Sequence, residues 1–191
     1  MLLVSAVLVS CVVACGSGAG ETGVDAGTSD PCAAVTDTPA GSTFIAVDTS
    51  WRNFRTWPSV HSDGPVDDGT FPPEVLGPRT QYINCKPAAG STEFPVGTMI
   101  AEIRESGKIF AAAKRGGGFN STGAVNWEWF ELVIDDTNQV APVHIFWRGF
   151  GPPIGDTYGG DVTGGCNACH KACGSSNDYA CSPKLQLPTL F

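Results

Sequence analysis

The segment Cys166-Asn167-Ala168-Cys169-His170 sets two thiols three residues apart and an imidazole directly after the second. Thiols at that spacing can add to the two vinyl groups on one edge of a porphyrin. The adjacent imidazole then lies beneath the ring as an axial ligand to iron. The pattern points to one covalently attached haem c, with Cys166 and Cys169 binding the cofactor and His170 binding the metal. Three other chemistries draw on similar residues. A thioredoxin-like redox pair sits after a strand in a βαβ unit, and no such unit is readable here. A zinc site needs about four ligands, and Cys173 and Cys181 would complete that set. A plain disulfide makes no use of His170.

The sixth ligand decides what an attached haem can do. Methionine occurs only at positions 1 and 99, and histidine other than His170 only at positions 61 and 144. A six-coordinate electron carrier therefore depends on Met99, His61 or His144. Otherwise the distal iron face is open to small molecules.

Haem attachment of this kind takes place outside the cytoplasm, and the N-terminus is consistent with export. Residues 1–14 form an apolar run, shorter than the ~20 residues of a membrane span and suited to a signal peptide. No Lys or Arg precedes it. Val12-Val13-Ala14-Cys15 matches a bacterial lipoprotein processing site. Leu8-Val9-Ser10-Cys11 matches too, but leaves a shorter apolar core, so Cys15 is the expected lipidation point. Residues 15–43 are mostly Gly, Ser, Thr, Ala and Asp and read as a lipidated flexible tether. The expected location is a bacterial membrane surface, facing the periplasm or the cell exterior.

Of the eight cysteines, Cys32, Cys85, Cys173 and Cys181 then remain. An even remainder in an oxidising compartment predicts two disulfides. Three pairings are possible; the expected one joins Cys173 to Cys181 and Cys32 to Cys85. A net charge of −8 argues against nucleic acid as a partner, since phosphates would be repelled.

The folded part is expected over residues 44–191. Trp51, Phe54 and Trp57 predict one face of a short helix that Pro58 ends. Residues His61 to Pro78 read as a long loop. Strand-like runs follow at Gly97 to Arg104, Lys108 to Lys114, Trp127 to Ile134 and Val143 to Phe150, separated by Gly, Asn-Ser and Asp-Asp turns. They predict an α+β domain, mainly antiparallel β-sheet with a few short helices, with the haem attached near the C-terminus. Trp127, Trp129, Phe130, Phe146 and Trp147 are expected to pack the core, and Gly116 to Gly118 to form a turn.

From about Trp51 onward the chain resembles the cytochrome P-460 family, which includes the cytochromes c′-beta. The resemblance rests on the order of Tyr82-Ile83-Asn84, Phe94-Pro95-Val96-Gly97-Thr98, Lys114-Arg115-Gly116-Gly117, Asn126-Trp127-Glu128-Trp129 and Cys166 to His170 followed by Asn177-Asp178-Tyr179. It implies an antiparallel sheet, a homodimer and a five-coordinate haem with His170 as proximal ligand. Its P-460 members oxidise hydroxylamine and carry a Lys crosslink to the porphyrin; its c′-beta members bind nitric oxide in an apolar pocket. By that resemblance the crosslinking Lys falls on Glu102, which cannot form the bond. The distal carboxylate falls on Phe110, which cannot accept a proton. Glu102 is then the candidate replacement base, Phe110 a distal-pocket residue, and Arg148 a candidate partner for a haem propionate.

Overall fold

The computed structural model describes residues 41–64, 76–139, 142–151, 165–187 and 190. Six strands form one sheet in sequence order: β1 (Ser59–Ser62), β2 (Arg79–Ile83), β3 (Met99–Arg104), β4 (Ile109–Lys114), β5 (Trp127–Ile134) and β6 (Val143–Gly149). Every neighbouring pair is antiparallel. The only α-helix among the described residues, α1 (Gly165–Ala172), follows the sheet. The expected α+β class with a dominant antiparallel sheet is therefore what the chain forms. β3 to β6 lie where the alternating runs placed them.

Three details differ from expectation. Arg79–Ile83 is a strand where no strand run was expected. Trp51 and Phe54 do not share one short helix; they lie on two 3-10 helices, Asp48–Trp51 and Phe54–Thr56. Apolar residues at i, i+3 and i+6 suit a repeat of 3.0 residues per turn at least as well as one of 3.6. The long loop expected over His61 to Pro78 does not include His61 and Ser62, because Ser59–Ser62 is a strand paired with β2; residues 65–75 of that stretch lie outside the described residues.

Strand alternation divides the sheet into two apolar faces. One face carries Met99, Ala101, Ala111, Ala113, Phe130 and Leu132, and the 3-10 segment covers it with Trp51 and Phe54. The other carries Ile83, Ile100, Ala112, Trp127, Trp129 and Trp147, and is covered by Phe94, α1 and the C-terminal residues Ala180, Leu185, Leu187 and Leu190. Burial of both faces explains why β5 is buried at six successive positions rather than alternating. The aromatic set is core as expected except for Phe146, which is 68% exposed.

Gly116 to Gly118 form the expected turn, all three with positive φ. A Cβ on Gly116 would stand 2.6 Å from the Ser42 carbonyl oxygen, so that turn needs glycine for space as well as conformation. The contact arises because Thr43 bridges to Gly116, which brings the last residue of the expected tether onto the sheet. No described helix is long and apolar enough to cross a membrane.

Candidate functional site

α1 carries Cys166, Cys169 and His170 at i, i+3 and i+4, so both thiols and the imidazole share one side of the helix. Cys166 is half-buried against the apolar residues of the helix-covered face, and Cys169 is exposed. Both keep their thiols, as addition to a porphyrin requires. The helix stops at Gly174, whose φ of +83° suits a glycine just past a helix end.

His170 is held from two directions. Its ring packs against Trp129 at a tilt of 32°, with centroids 4.1 Å apart. Its Nδ1 lies 2.7 Å from the Tyr179 carbonyl oxygen. A carbonyl can only accept, so Nδ1 carries the proton and donates it, and Nε2 keeps its lone pair. Burial pushes the His170 pKa down; the Tyr179 carbonyl and the negative charge of Glu102 pull it back up. The result is a neutral imidazole with one nitrogen engaged. That is the state and orientation a metal-bound histidine needs, with the non-ligating nitrogen fixed by a hydrogen bond.

The helix is anchored through Asn167, which is buried. Its Oδ1 accepts from Trp129 Nε1 at 2.8 Å and from Asn120 Nδ2 at 2.5 Å. Its Nδ2 donates to Asn120 Oδ1 at 2.8 Å. Asn120 also reaches the Trp127 carbonyl at 3.1 Å. Trp129 lies opposite Ala112 on β4 and Gly149 on β6, and these small neighbours leave room for its indole. The pair of amides therefore fixes both α1 and the ring beneath His170.

The segment after the helix is anchored more strongly. Asp178 and Tyr179 both have positive φ, 46° and 65°, a conformation costly for residues with a Cβ. Asp178 accepts from Lys114 Nζ at 2.5 and 2.7 Å and from the Phe94 backbone N–H at 2.8 Å. The Asp178 carbonyl accepts from Trp127 Nε1 at 2.9 Å. Lys114 is 2% exposed and its Nζ also lies over the Trp127 ring. Burial pushes the Asp178 carboxyl up while Lys114 and the Phe94 N–H pull it down. Cys173 and Cys181 form a disulfide that closes this segment back onto α1. The pairing agrees with expectation, and it takes from the zinc alternative two of its four thiolates. Among the described residues no group of three or more His, Cys, Asp or Glu is arranged to hold a metal ion. All strand pairs of the sheet are antiparallel, so among the described residues no βαβ unit carries the Cys pair.

The other expected residues divide by sheet face. Glu102 and Phe110 are direct partners across β3 and β4. They lie on the helix-covered face with Ile100, Ala112 and Trp129. Glu102 pairs with Arg79 and Arg104 and accepts from Gln81 Nε2 at 2.9 Å. Its carboxylate is thus a well-partnered charge rather than a free base. Phe110 lies under the cations of Arg104 and Lys108. Met99 is buried on the opposite face. By register His61 also belongs to that opposite side, through Thr80 and Ile103. His144 is engaged with Asp48 at 3.4 Å. None of the three sixth-ligand candidates is positioned with His170. Arg148 is on the opposite face too, where it grips Glu128 twice at 2.8 Å and the Ala46 carbonyl at 2.9 Å. Cys85 is disulfide-bonded, while Cys15 and Cys32 lie outside the described residues.

No family model, curated protein or solved structure matches the chain. Function has to be argued from the site itself.

Sequence reading missed Lys114–Asp178, Asn120–Asn167 and the Tyr179 carbonyl. Lys114 and Asn177-Asp178-Tyr179 stood out only as segments of the resemblance. Nothing in residue period distinguishes a lysine at a strand end that is buried from one that is solvated.

Proposed function

We propose that this chain is an exported, membrane-anchored mono-haem c-type protein of the cytochrome P-460 kind, with an open distal iron face that takes a small nitrogen oxide. The observation that carries the reading is His170. Its Nδ1–H is committed to the Tyr179 carbonyl, its ring face to Trp129, and among the described residues Nε2 has no polar partner. Cys166 and Cys169 keep their thiols on the same helix, so the residues present fit a covalently attached haem. When bound, that group supplies an iron able to hold a diatomic or small nitrogen ligand.

The chain's own residues support an open site rather than an electron carrier. Met99 and His61 belong to the other side of the sheet and His144 is engaged with Asp48, so among the described residues none of these three is positioned with His170. Ile100, Ala112 and Phe110 give that face apolar surface beside the paired charges of Glu102, Arg79 and Arg104. Lys114, Trp127 and Asp178 come from separate segments of the resemblance and meet at one point behind His170. Glu102 is held by two arginines and Gln81, which favours ligand binding over a role as hydroxylamine base. The lipid anchor at Cys15, a homodimer, and a redox partner belong to the same proposal.

The test is to export the full chain with a haem-attachment system and titrate the reduced protein with nitric oxide, then assay hydroxylamine oxidation. Nitric oxide binding without hydroxylamine turnover is expected. Turnover that is lost on Glu102→Gln replaces this reading with the enzymatic one.

A further inference from the structure

The buried Lys114–Asp178 ion pair lies neither among the thiols nor at the imidazole, yet it ties the segment that holds His170 to the sheet. Tyr179 presents its carbonyl to His170 only because two successive residues, Asp178 and Tyr179, adopt left-handed backbone conformations. Neither is glycine, so the surroundings must hold them there. Around Asp178, Lys114 of β4, the Phe94 backbone N–H and Trp127 Nε1 of β5 supply four hydrogen bonds of 2.5–2.9 Å. A lysine buried to 2% exposure is costly unless its partner is fixed, and the same pairing fixes the partner.

We infer that Lys114 and Asp178 are positioning residues that set the orientation of the His170 imidazole by fixing the Tyr179 carbonyl. Removing either charge leaves a buried, uncompensated partner and frees the left-handed turn to relax. The Tyr179 carbonyl then turns from Nδ1, and the imidazole loses the hydrogen bond that fixes its tautomer and its direction. The consequence at iron rests on the haem reading; the effect on the imidazole does not.

The experiment follows exchange of the His170 Nδ1 proton with solvent by proton NMR in the full exported chain, alongside the backbone amides of β5. Lys114→Met and Asp178→Asn are compared with the unchanged protein. Exchange of the Nδ1 proton is expected to speed up by about tenfold or more, the equivalent of losing one buried hydrogen bond, while the β5 amides change far less. Should the single variants not fold, the double variant carries the same comparison, because it leaves no unpaired buried charge. An unchanged Nδ1 proton, or one accelerated no more than the β5 amides, overturns the inference and leaves the pair as ordinary core. The haem absorption of the same samples is read separately. Missing haem with an accelerated Nδ1 proton sinks the haem reading alone.

Discussion

Replacing Asn167 with Ala removes the amide that ties α1 to the sheet, and the structure sets the size of the effect. Three hydrogen bonds disappear: from Trp129 Nε1, from Asn120 Nδ2 and to Asn120 Oδ1. Asn120 Nδ2 keeps the Trp127 carbonyl, so two groups lose their described partners, the Trp129 indole N–H and the Asn120 carbonyl oxygen. Both residues are buried. Each orphaned buried group costs about 1–3 kcal/mol, so the variant should lose about 2–6 kcal/mol of stability. Urea unfolding followed by tryptophan fluorescence reads this directly. With a slope of about 2 kcal/mol per molar urea, the midpoint should fall by roughly 1–3 M. A loss below about 1 kcal/mol at an unchanged slope would refute the reasoning, since it would mean that the amide pair is not shielded from water.

Four further outcomes are expected. Gly123→Ala puts a Cβ 2.4 Å from Asn120 Oδ1 and 2.6 Å from Asn167 Nδ2; it should cost about 1–3 kcal/mol, and less when Asn167 is already Ala, as a double-mutant cycle would read. Cys173→Ser with Cys181→Ser opens a loop of sequence separation 8 and should lower unfolding stability by about 2–3 kcal/mol, with no loss in an already reduced sample. Glu102→Gln leaves Arg79 and Arg104 without their shared carboxylate and should lower the melting temperature while nitric oxide binding persists; loss of binding at an unchanged melting temperature contradicts the account of Glu102 as a structural charge. Cys15→Ser should release the exported chain from membranes, as fractionation would reveal; continued membrane association of that variant argues against Cys15 as the anchor.

The sheet was readable because its inner strands carry strong periodic signals. Trp127 to Ile134 is dense in aromatic and β-branched residues, and its bounds come out as expected. β1 was not readable. Ser59-Val60-His61-Ser62 is polar, follows a proline and offers only Val60 to the core, so its pairing is set by the Arg79–Ile83 edge and not by its own preference. The two 3-10 helices were expected as one short helix because a three-residue spacing separates neither the two geometries nor one helix from two. At the candidate site, spacing alone pointed to Cys166, Cys169 and His170. What holds them comes from contacts across 47 to 64 residues of sequence, Asn120 to Asn167 and Lys114 to Asp178. Charged or amide side chains at such separations show no local pattern, and only the folded sheet brings them together.

The central claim is that haem is joined to Cys166 and Cys169 and that His170 is its only protein ligand. Its most direct test is the optical and resonance Raman spectrum of the reduced, exported protein, with haem content per chain measured on the same sample. The account predicts one covalently bound haem per chain and a five-coordinate, high-spin ferrous iron. A six-coordinate low-spin iron, or a chain that takes up no haem under conditions that load other c-type proteins, would contradict it.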